Sequence, residues 1–308
     1  MSKKILITGG TGFIGFHLSK KCLSLGWSVT SLSSQSPKPQ KKLKRVKYLK
    51  IDITNKNKLS KINKNFDYIV NLAGYVDHTN KKKTLESHYI GCKNLASIFV
   101  NENIKKFIQV GSSIEYGKLK SPHIENKNNK QSTYSVYGKA KLLSTKFLID
   151  LNKKNNFPSS IIRLYLVYGP NQDINRVVPI TIKNALDNKR FDCSSGLQYR
   201  DFTYIDDVVV AILKSLKSKK TNGEIINIGS GKPVRVRALI KKICLIVGSG
   251  KPVFGKIKMR KDETMTLYPN IHKAKKILKW KPKISLNAGL KKTIKYYKNE
   301  KFIDNFNR

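Results

Sequence analysis

The chain has 308 residues, 39% of them hydrophobic and 9% aromatic, which is enough for a packed interior larger than one modal domain and excludes a peptide-sized scaffold. No apolar run approaches the ~20 residues that cross a bilayer, so membrane helices are excluded as well. The net charge of +43 would suit a polyanion, but only nine of the 62 basic residues are arginine and the lysines are spread over the whole length; a solvated surface is the better reading, and nucleic acid is not expected as a partner.

The amino terminus, Met1-Ser2-Lys3-Lys4, runs directly into Ile5-Leu6-Ile7 and a glycine cluster, too short an apolar segment for a signal peptide, so a cytoplasmic protein is expected. Cys22, Cys92, Cys193 and Cys244 lie far apart without a C-x-x-C pair, which predicts neither a disulfide framework nor a metal site. In chain order, apolar strands are predicted at 5–8, 29–32, 48–51, 68–72, 107–110 and 161–166, with helix-compatible stretches between most of them. That alternation predicts a Rossmann-type α/β fold, a doubly wound parallel sheet. Beyond Tyr168-Gly169-Pro170 the pattern loosens, then returns with a helix near 206–218 and a strand at 224–228, followed by helices at 236–247, 271–279 and 286–298. The expected organisation is a dinucleotide domain over 1–165, rejoined by 206–230, with 166–205 and 231–308 forming a smaller carboxy-terminal substrate lobe. Two basic clusters, 41–45 and Lys81-Lys82-Lys83, are expected in loops.

The first strand runs into Gly9-Gly10-Thr11-Gly12-Phe13-Ile14-Gly15, and a helical pattern follows. Gly9 permits a tight turn, Gly12 lets backbone approach a pyrophosphate, and Gly15 lets the helix pack on the strand, while the helix N-terminus offers free N–H groups to the anion. Strand before and helix after make this a dinucleotide loop rather than an ordinary glycine-rich turn.

A tyrosine four residues before a lysine puts both on one helix face, where an ammonium can stabilise a phenolate. With 14 tyrosines in so lysine-rich a chain, roughly two such pairs arise by chance, and four occur, starting at Tyr89, Tyr116, Tyr137 and Tyr297. Tyr137 is selected because small residues surround it in Tyr134-Ser135-Val136-Tyr137-Gly138-Lys139-Ala140-Lys141 and because Ser112 ends the fifth strand 25 residues earlier. His78, His88 and His123 lack metal-ligand spacing and are read as polar or packed residues.

The spacing G-x-x-G-x-x-G, followed by Asp52-Ile53, Asn71-Leu72-Ala73-Gly74, Gly111-Ser112-Ser113, Tyr137 with Lys141, Arg163 before Tyr168-Gly169-Pro170, and Arg200-Asp201-Phe202-Thr203-Tyr204, resembles the extended short-chain dehydrogenase/reductase superfamily. Within it the chain is similar to the NAD(P)-dependent epimerase/dehydratase family, which acts on nucleotide sugars. The resemblance covers nearly the whole chain and implies an enzyme in which Ser112 hydrogen-bonds the reacting sugar oxygen, Tyr137 passes the proton, and Lys141 tunes Tyr137 and holds the nicotinamide ribose. It implies a cofactor site from Gly9, Gly12, Phe13, Ile14, Gly15, Ser33, Ser34, Asp52, Ile53, Leu72, Ala73 and Gly74, with Asp52 at the adenine. Counting along it, Ser33 stands where a carboxylate would accept bonds from the adenosine ribose. Without that carboxylate a 2′-phosphate is not repelled, and Ser33, Ser34 and Lys38 could cradle it, so NADP(H) is favoured with NAD(H) as the alternative.

Sugar-nucleotide 4,6-dehydratases carry an acidic residue where Ile114 stands here, and Glu115 follows one position later, so dehydration loses its support. Leu166 replaces an asparagine that contacts substrate in many relatives. The favoured activity is NADPH-dependent reduction of a 4-keto, deoxysugar-type nucleotide-diphosphate sugar; epimerisation at C4 with bound NAD is the alternative, and a dinucleotide-sensing, nucleic-acid-binding protein a remote one. Ser113, Arg200 and Arg260 are assigned to substrate, with Arg200 weighed against an ion pair to Asp201 or Asp206. Arg163 is assigned to structure, Arg176 is a weaker candidate for closing the lobe, and a homodimer is compatible with such a fold.

Overall fold

Strands that are apolar on both sides need cover on both faces. In the computed structural model, which describes residues 2–77, 79–125, 133, 135–259 and 263–306, they receive it. The first half runs β1 (Lys4–Thr8), α1 (Phe13–Ser24), β2 (Ser28–Ser33), β3 (Val46–Lys50), α2 (Lys56–Ser60), β4 (Tyr68–Asn71), α3 (Lys81–Leu85), α4 (Gly91–Ser97), β5 (Lys106–Ser112), α5 (Val136–Asn155) and β6 (Ser159–Leu164). The second half adds β7 (Leu166–Tyr168), α6 (Val177–Leu186), β8 (Arg190–Cys193), β9 (Tyr199–Arg200), β10 (Phe202–Tyr204), α7 (Ile205–Lys217) and β11 (Ile225–Ile228). After these come β12 (Val234–Arg235), α8 (Val236–Val247), β13 (Lys251–Phe254), β14 (Thr266–Leu267), α9 (His272–Leu278) and α10 (Leu286–Phe306).

Seven parallel strands form the main sheet in the order β11-β6-β5-β4-β1-β2-β3. Because strand side chains alternate, neighbours in sequence enter different cores. Ile5, Ile7, Val70 and Ile108 pack with Leu18, Val208 and Ile212 from α1 and α7, whereas Leu6, Ile69 and Phe107 pack with Leu95 and Leu148 from α4 and α5. The order reverses between β1 and β4, so their carboxyl ends open a crevice at the switch point of the sheet.

The second half builds small sheets beside this one, β12-β9-β14, β13-β8 and β10-β7. Its tail is tied back through Asp207 of α7, whose carboxylate accepts from Lys283 N (3.0 Å) and Ile284 N (2.9 Å) while its carbonyl accepts from Trp280 Nε1 (3.0 Å).

Three expectations change. The strand predicted at 161–166 breaks at Tyr165, because Leu166 N leaves the main ladder for Asp201 O (3.0 Å) and β7 pairs with β10. Lys81-Lys82-Lys83 is not a loop: Asn80 Oδ1 caps Lys83 N (3.0 Å), and the three lysines form the exposed start of α3. The final helix runs on past 298 to Phe306.

Candidate active site

The carboxyl ends of β1, β4 and β5 are laced together by side chains. Thr8 Oγ1 donates to Asn71 Oδ1 (2.5 Å), and Asn71 Nδ2 donates to Gln109 Oε1 (2.7 Å), all three residues being buried. Gly9 continues from β1 at φ +68°, and a Cβ there would stand 2.9 Å from the backbone of Leu72 and Ala73, so only glycine lets the two loops touch. Gly12 N-caps α1 without any side-chain cap, which leaves the first-turn N–H groups directed at the crevice. A Cβ on Gly15 would meet Gly9 O and lie 2.6 Å from Gly10 Cα. This cradle fits a dinucleotide pyrophosphate.

Replacing Gly15 with alanine should therefore push the loop outward. Overpacking costs about 1–3 kcal/mol, so cofactor affinity, measured by calorimetric titration, is expected to fall roughly tenfold or more. Unchanged affinity would mean that this loop does not hold the pyrophosphate.

Ser33 ends β2, is buried, and accepts from Thr11 N (3.4 Å), so its hydroxyl faces the glycine loop; Ser34, next in the chain, and Lys38 are exposed. Asp52 opens the loop after β3 and takes Thr54 N (2.9 Å) and Thr54 Oγ1 (2.8 Å) on one oxygen. Ile53 is buried against the bare Cα of Gly91.

Ser112 is the last residue of β5 and caps the short turn Ser113–Tyr116, its N–H donating to Glu115 Oε1 (2.8 Å). Its hydroxyl is hydrogen-bonded to Tyr137. Ser135 caps α5 by accepting from Gly138 N (3.0 Å), which places Tyr137 in the first turn and Lys141 one turn on. Lys141 Nζ lies 6.0 Å from the Tyr137 ring centroid and donates to Val110 O (2.7 Å). Burial raises the Tyr137 phenol above its ordinary pKa, opposed by the Ser112 hydrogen bond, reinforced by Glu115, and opposed again by Arg176. Burial lowers Lys141, with Glu115 and Cys92 acting the other way. Tyr137 thus holds its proton in this state and can give it to a carbonyl oxygen.

Two supports of this trio have no signature in residue spacing. His88, in the π-turn between α3 and α4, is buried with its ring 4.9 Å from that of Tyr137, and its carbonyl accepts from Ser144 Oγ (2.7 Å) on α5. Glu115 is completely buried and holds Arg163 Nε (3.0 Å), Arg163 Nη2 (2.9 Å) and Thr145 Oγ1 (2.7 Å) as well as Ser112 N. A carboxylate so engaged is turned away from the crevice and is not placed to abstract a proton from substrate.

The rival Tyr116 faces inward. Its hydroxyl donates to Asn227 Oδ1 (2.8 Å), its ring stacks on His123 at 4.4 Å, and burial pushes its pKa up to about 12. Tyr297 is a residue of α10, and its hydroxyl donates to Gln172 O (2.7 Å).

In the second half, Arg200 is buried. Its ion-pair partner is Glu263, 63 residues along, rather than Asp201 or Asp206. Asp201 is instead occupied by Ser230 N (2.6 Å) and Gly231 N (2.7 Å). Ser113 is buried at the start of the short turn that follows β5, and exposed Arg176, at the start of α6, acts electrostatically on Tyr137. Arg260, Tyr134 and His78 lie outside the described residues. Among the described residues no group of three or more His, Cys, Asp or Glu is arranged to hold a metal, and no helix is long and apolar enough to cross a membrane.

Residues 5–229 match the NAD dependent epimerase/dehydratase family. A putative UDP-glucose 4-epimerase of Methanocaldococcus jannaschii is 29% identical over 96% of this chain and 98% of its own. The structure of UDP-glucose 4-epimerase from Thermotoga maritima with UDP-glucose superposes with a TM-score of 0.88 at 27% identity, covering 96% of this chain and 99% of that one. UDP-glucuronic acid 4-epimerase from Bacillus cereus, in complex with UDP-glucuronic acid and NAD, gives 0.86 at 28% identity, covering 96% and 99%.

Proposed function

The chain belongs to the NAD dependent epimerase/dehydratase family, and from that premise we propose that it carries out oxidation and reduction at C4 of a sugar held on a nucleoside diphosphate, with NADPH-dependent reduction of the 4-keto form as its direction. The observation that carries the chemistry is the meeting of Ser112, Tyr137 and Lys141 at the carboxyl end of β5, beside a glycine loop shaped for a dinucleotide. The nicotinamide, when bound, supplies the hydride for C4. Ser112 holds the C4 oxygen, Tyr137 gives that oxygen its proton, and the Lys141 ammonium stabilises the phenolate left behind. Gly9, Gly12 and Gly15 seat the pyrophosphate, Leu72, Ala73 and Gly74 pass alongside it, and Asp52 faces the adenine. Arg200 would reach the substrate diphosphate by exchanging Glu263 for phosphate oxygens.

The reductive direction and NADP(H) rest on Ser33. A carboxylate at the end of β2 would accept from a ribose 2′-hydroxyl and repel a 2′-phosphate; the neutral Ser33 hydroxyl carries no charge to repel that phosphate and can donate to it. Ser33→Asp should shift the ratio of catalytic efficiencies from NADPH toward NADH by on the order of tenfold, the equivalent of one charge-assisted contact. A wild-type protein that already prefers NADH, or that purifies with tightly held NAD, would move the reading to C4 epimerisation. That second reading has its own support in relatives named as 4-epimerases, one of them with NAD bound. The direct test is a panel of nucleotide sugars incubated with NADH or NADPH, following nicotinamide absorbance and product stereochemistry.

A further inference from the structure

His123 takes no part in the proton transfer above, yet it is buried where the turn carrying Ser112 meets the second half of the chain. Toward the second half its contacts are strand-like: His123 N donates to Tyr268 O (3.0 Å), and His123 O accepts from Asn270 N (2.9 Å). Two residues earlier, Ser121 Oγ bridges the same segment, donating to Thr266 O (3.0 Å) and accepting from Tyr268 N (3.1 Å). That segment begins with β14, whose Leu267 stands in register with Arg200 on β9. Toward Ser112 the contacts are made by the imidazole. Its ring stacks on the Tyr116 ring at 4.4 Å, and the Arg163 guanidinium lies 4.5 Å from the centre of that same Tyr116 ring. Arg163 in turn holds Glu115, which holds Ser112 N. A backbone ladder reaches one way and a ring stack the other, and His123 is where they join.

The imidazole makes this join in one protonation state. Nε2 lies 3.0 Å from Leu119 O, which can only accept, so Nε2 carries the hydrogen. Nδ1, 2.9 Å from the Tyr165 hydroxyl, is then bare and accepts from it. A second proton on the ring would turn the Tyr165 hydroxyl away and add a cation to an interior that already holds Arg163. The neighbouring charges do not offset it. Glu115 is bound to Arg163, Glu125 accepts from Asn227 N (2.7 Å) and feels Lys273, and Asp201, felt at Tyr165, is taken up by Ser230 and Gly231. Burial raises both the Tyr116 and Tyr165 phenols, so they stay neutral, and the 268–270 segment meets His123 through backbone. Burial lowers the His123 pKa, with the Leu119 carbonyl opposing and Arg163 reinforcing.

Resting on the C4 redox reading above, we infer that neutral His123 is a positioning residue for the reaction. It fixes the Ser112 turn against the 266–270 segment, so that the serine hydroxyl and the strand of Arg200 keep one register on the sugar and its diphosphate. The folded state favours the neutral ring. This support is therefore complete above the ordinary imidazole pKa and is lost as pH falls below it, through the lowered value of the folded state.

The test compares the full-length protein with His123→Gln, whose amide can donate to Leu119 O and accept from Tyr165 without titrating, and with His123→Leu, which can do neither. Hydrogen-exchange protection of the Ser112 amide is measured at about pH 7.5 and about pH 5.5, on either side of the ordinary imidazole pKa. Values of kcat and KM are taken at the same two pH values for the members of the nucleotide-sugar panel that are turned over. In the parent, acidification should lower the protection and cost kcat about tenfold, the worth of one hydrogen bond on the reacting oxygen. KM should change little, because the diphosphate end stays with Arg200. His123→Gln should keep protection and kcat at both pH values, and His123→Leu should show the acid values at both. No acid change in the parent, an acid loss in His123→Gln equal to the parent's, or parental behaviour in His123→Leu would each overturn this inference. Should His123→Leu fail to fold, the parent and His123→Gln decide it by themselves. Protection that follows the expected pattern while no sugar of the panel is turned over would remove the C4 reading and leave His123 as the residue that fixes the Ser112 turn.

Discussion

Tyr137→Phe is expected to lower turnover by roughly 10²–10⁴-fold, the usual worth of a positioned general acid or base, while cofactor affinity stays close to that of the parent. The substitution keeps the ring that packs on His88 and lies beneath Lys141, and removes only the hydroxyl bonded to Ser112. Tyr116→Phe is the control, since it also deletes a phenol four residues before a lysine. That hydroxyl ends on Asn227 in the interior, so its loss should appear in stability and leave turnover largely intact. Steady-state kinetics and cofactor titration of the two variants decide the matter. Equal, small losses from both would remove Tyr137 from the mechanism.

Arg163→Met should cost the fold about 3–5 kcal/mol, because it strands the Glu115 carboxylate in a place with no access to water. The carboxylate would lose both Arg163 contacts, at 3.0 and 2.9 Å, and keep only Ser112 N and Thr145 Oγ1. Pairing the change with Glu115→Gln removes the stranded charge; the amide oxygen can still accept from Ser112 N and the amide NH2 can donate to the Thr145 hydroxyl, so the double variant should recover part of the loss. Denaturant titration of the single and double variants measures both effects. A loss below about 1 kcal/mol for Arg163→Met would mean that the pair is not what anchors the end of β5. Since Glu115 holds the backbone of the reacting serine, activity should fall along with stability in the single variant and return in the double.

Where a feature depends on residues close in sequence, the sequence alone determined it. The strand-loop-helix at 4–24 follows from a short apolar run, three glycines at fixed spacing and a helical pattern, all within reach of local backbone preference. The seven-strand parallel sheet follows from alternating strand and helix periods in the same way. The pairing of Tyr137 with Lys141 is one turn of helix, and the small residues around it distinguish it from three other pairs of the same spacing.

Features made by distant residues required the tertiary structure. The Glu115–Arg163 pair spans 48 residues and the Arg200–Glu263 pair 63, and neither partner is marked by its neighbours in sequence. His88 backs Tyr137 because a π-turn between α3 and α4 aims its ring there, and the break at Tyr165 arises because Asp201 draws Leu166 out of the main ladder. Even the loop assigned to Lys81-Lys82-Lys83 became a helix through one cap on Asn80, since a charge run carries no backbone instruction of its own. Local periodicity encodes interactions over three or four residues. Which buried charges meet is decided by strand register and helix packing, which bring together positions that the chain holds far apart.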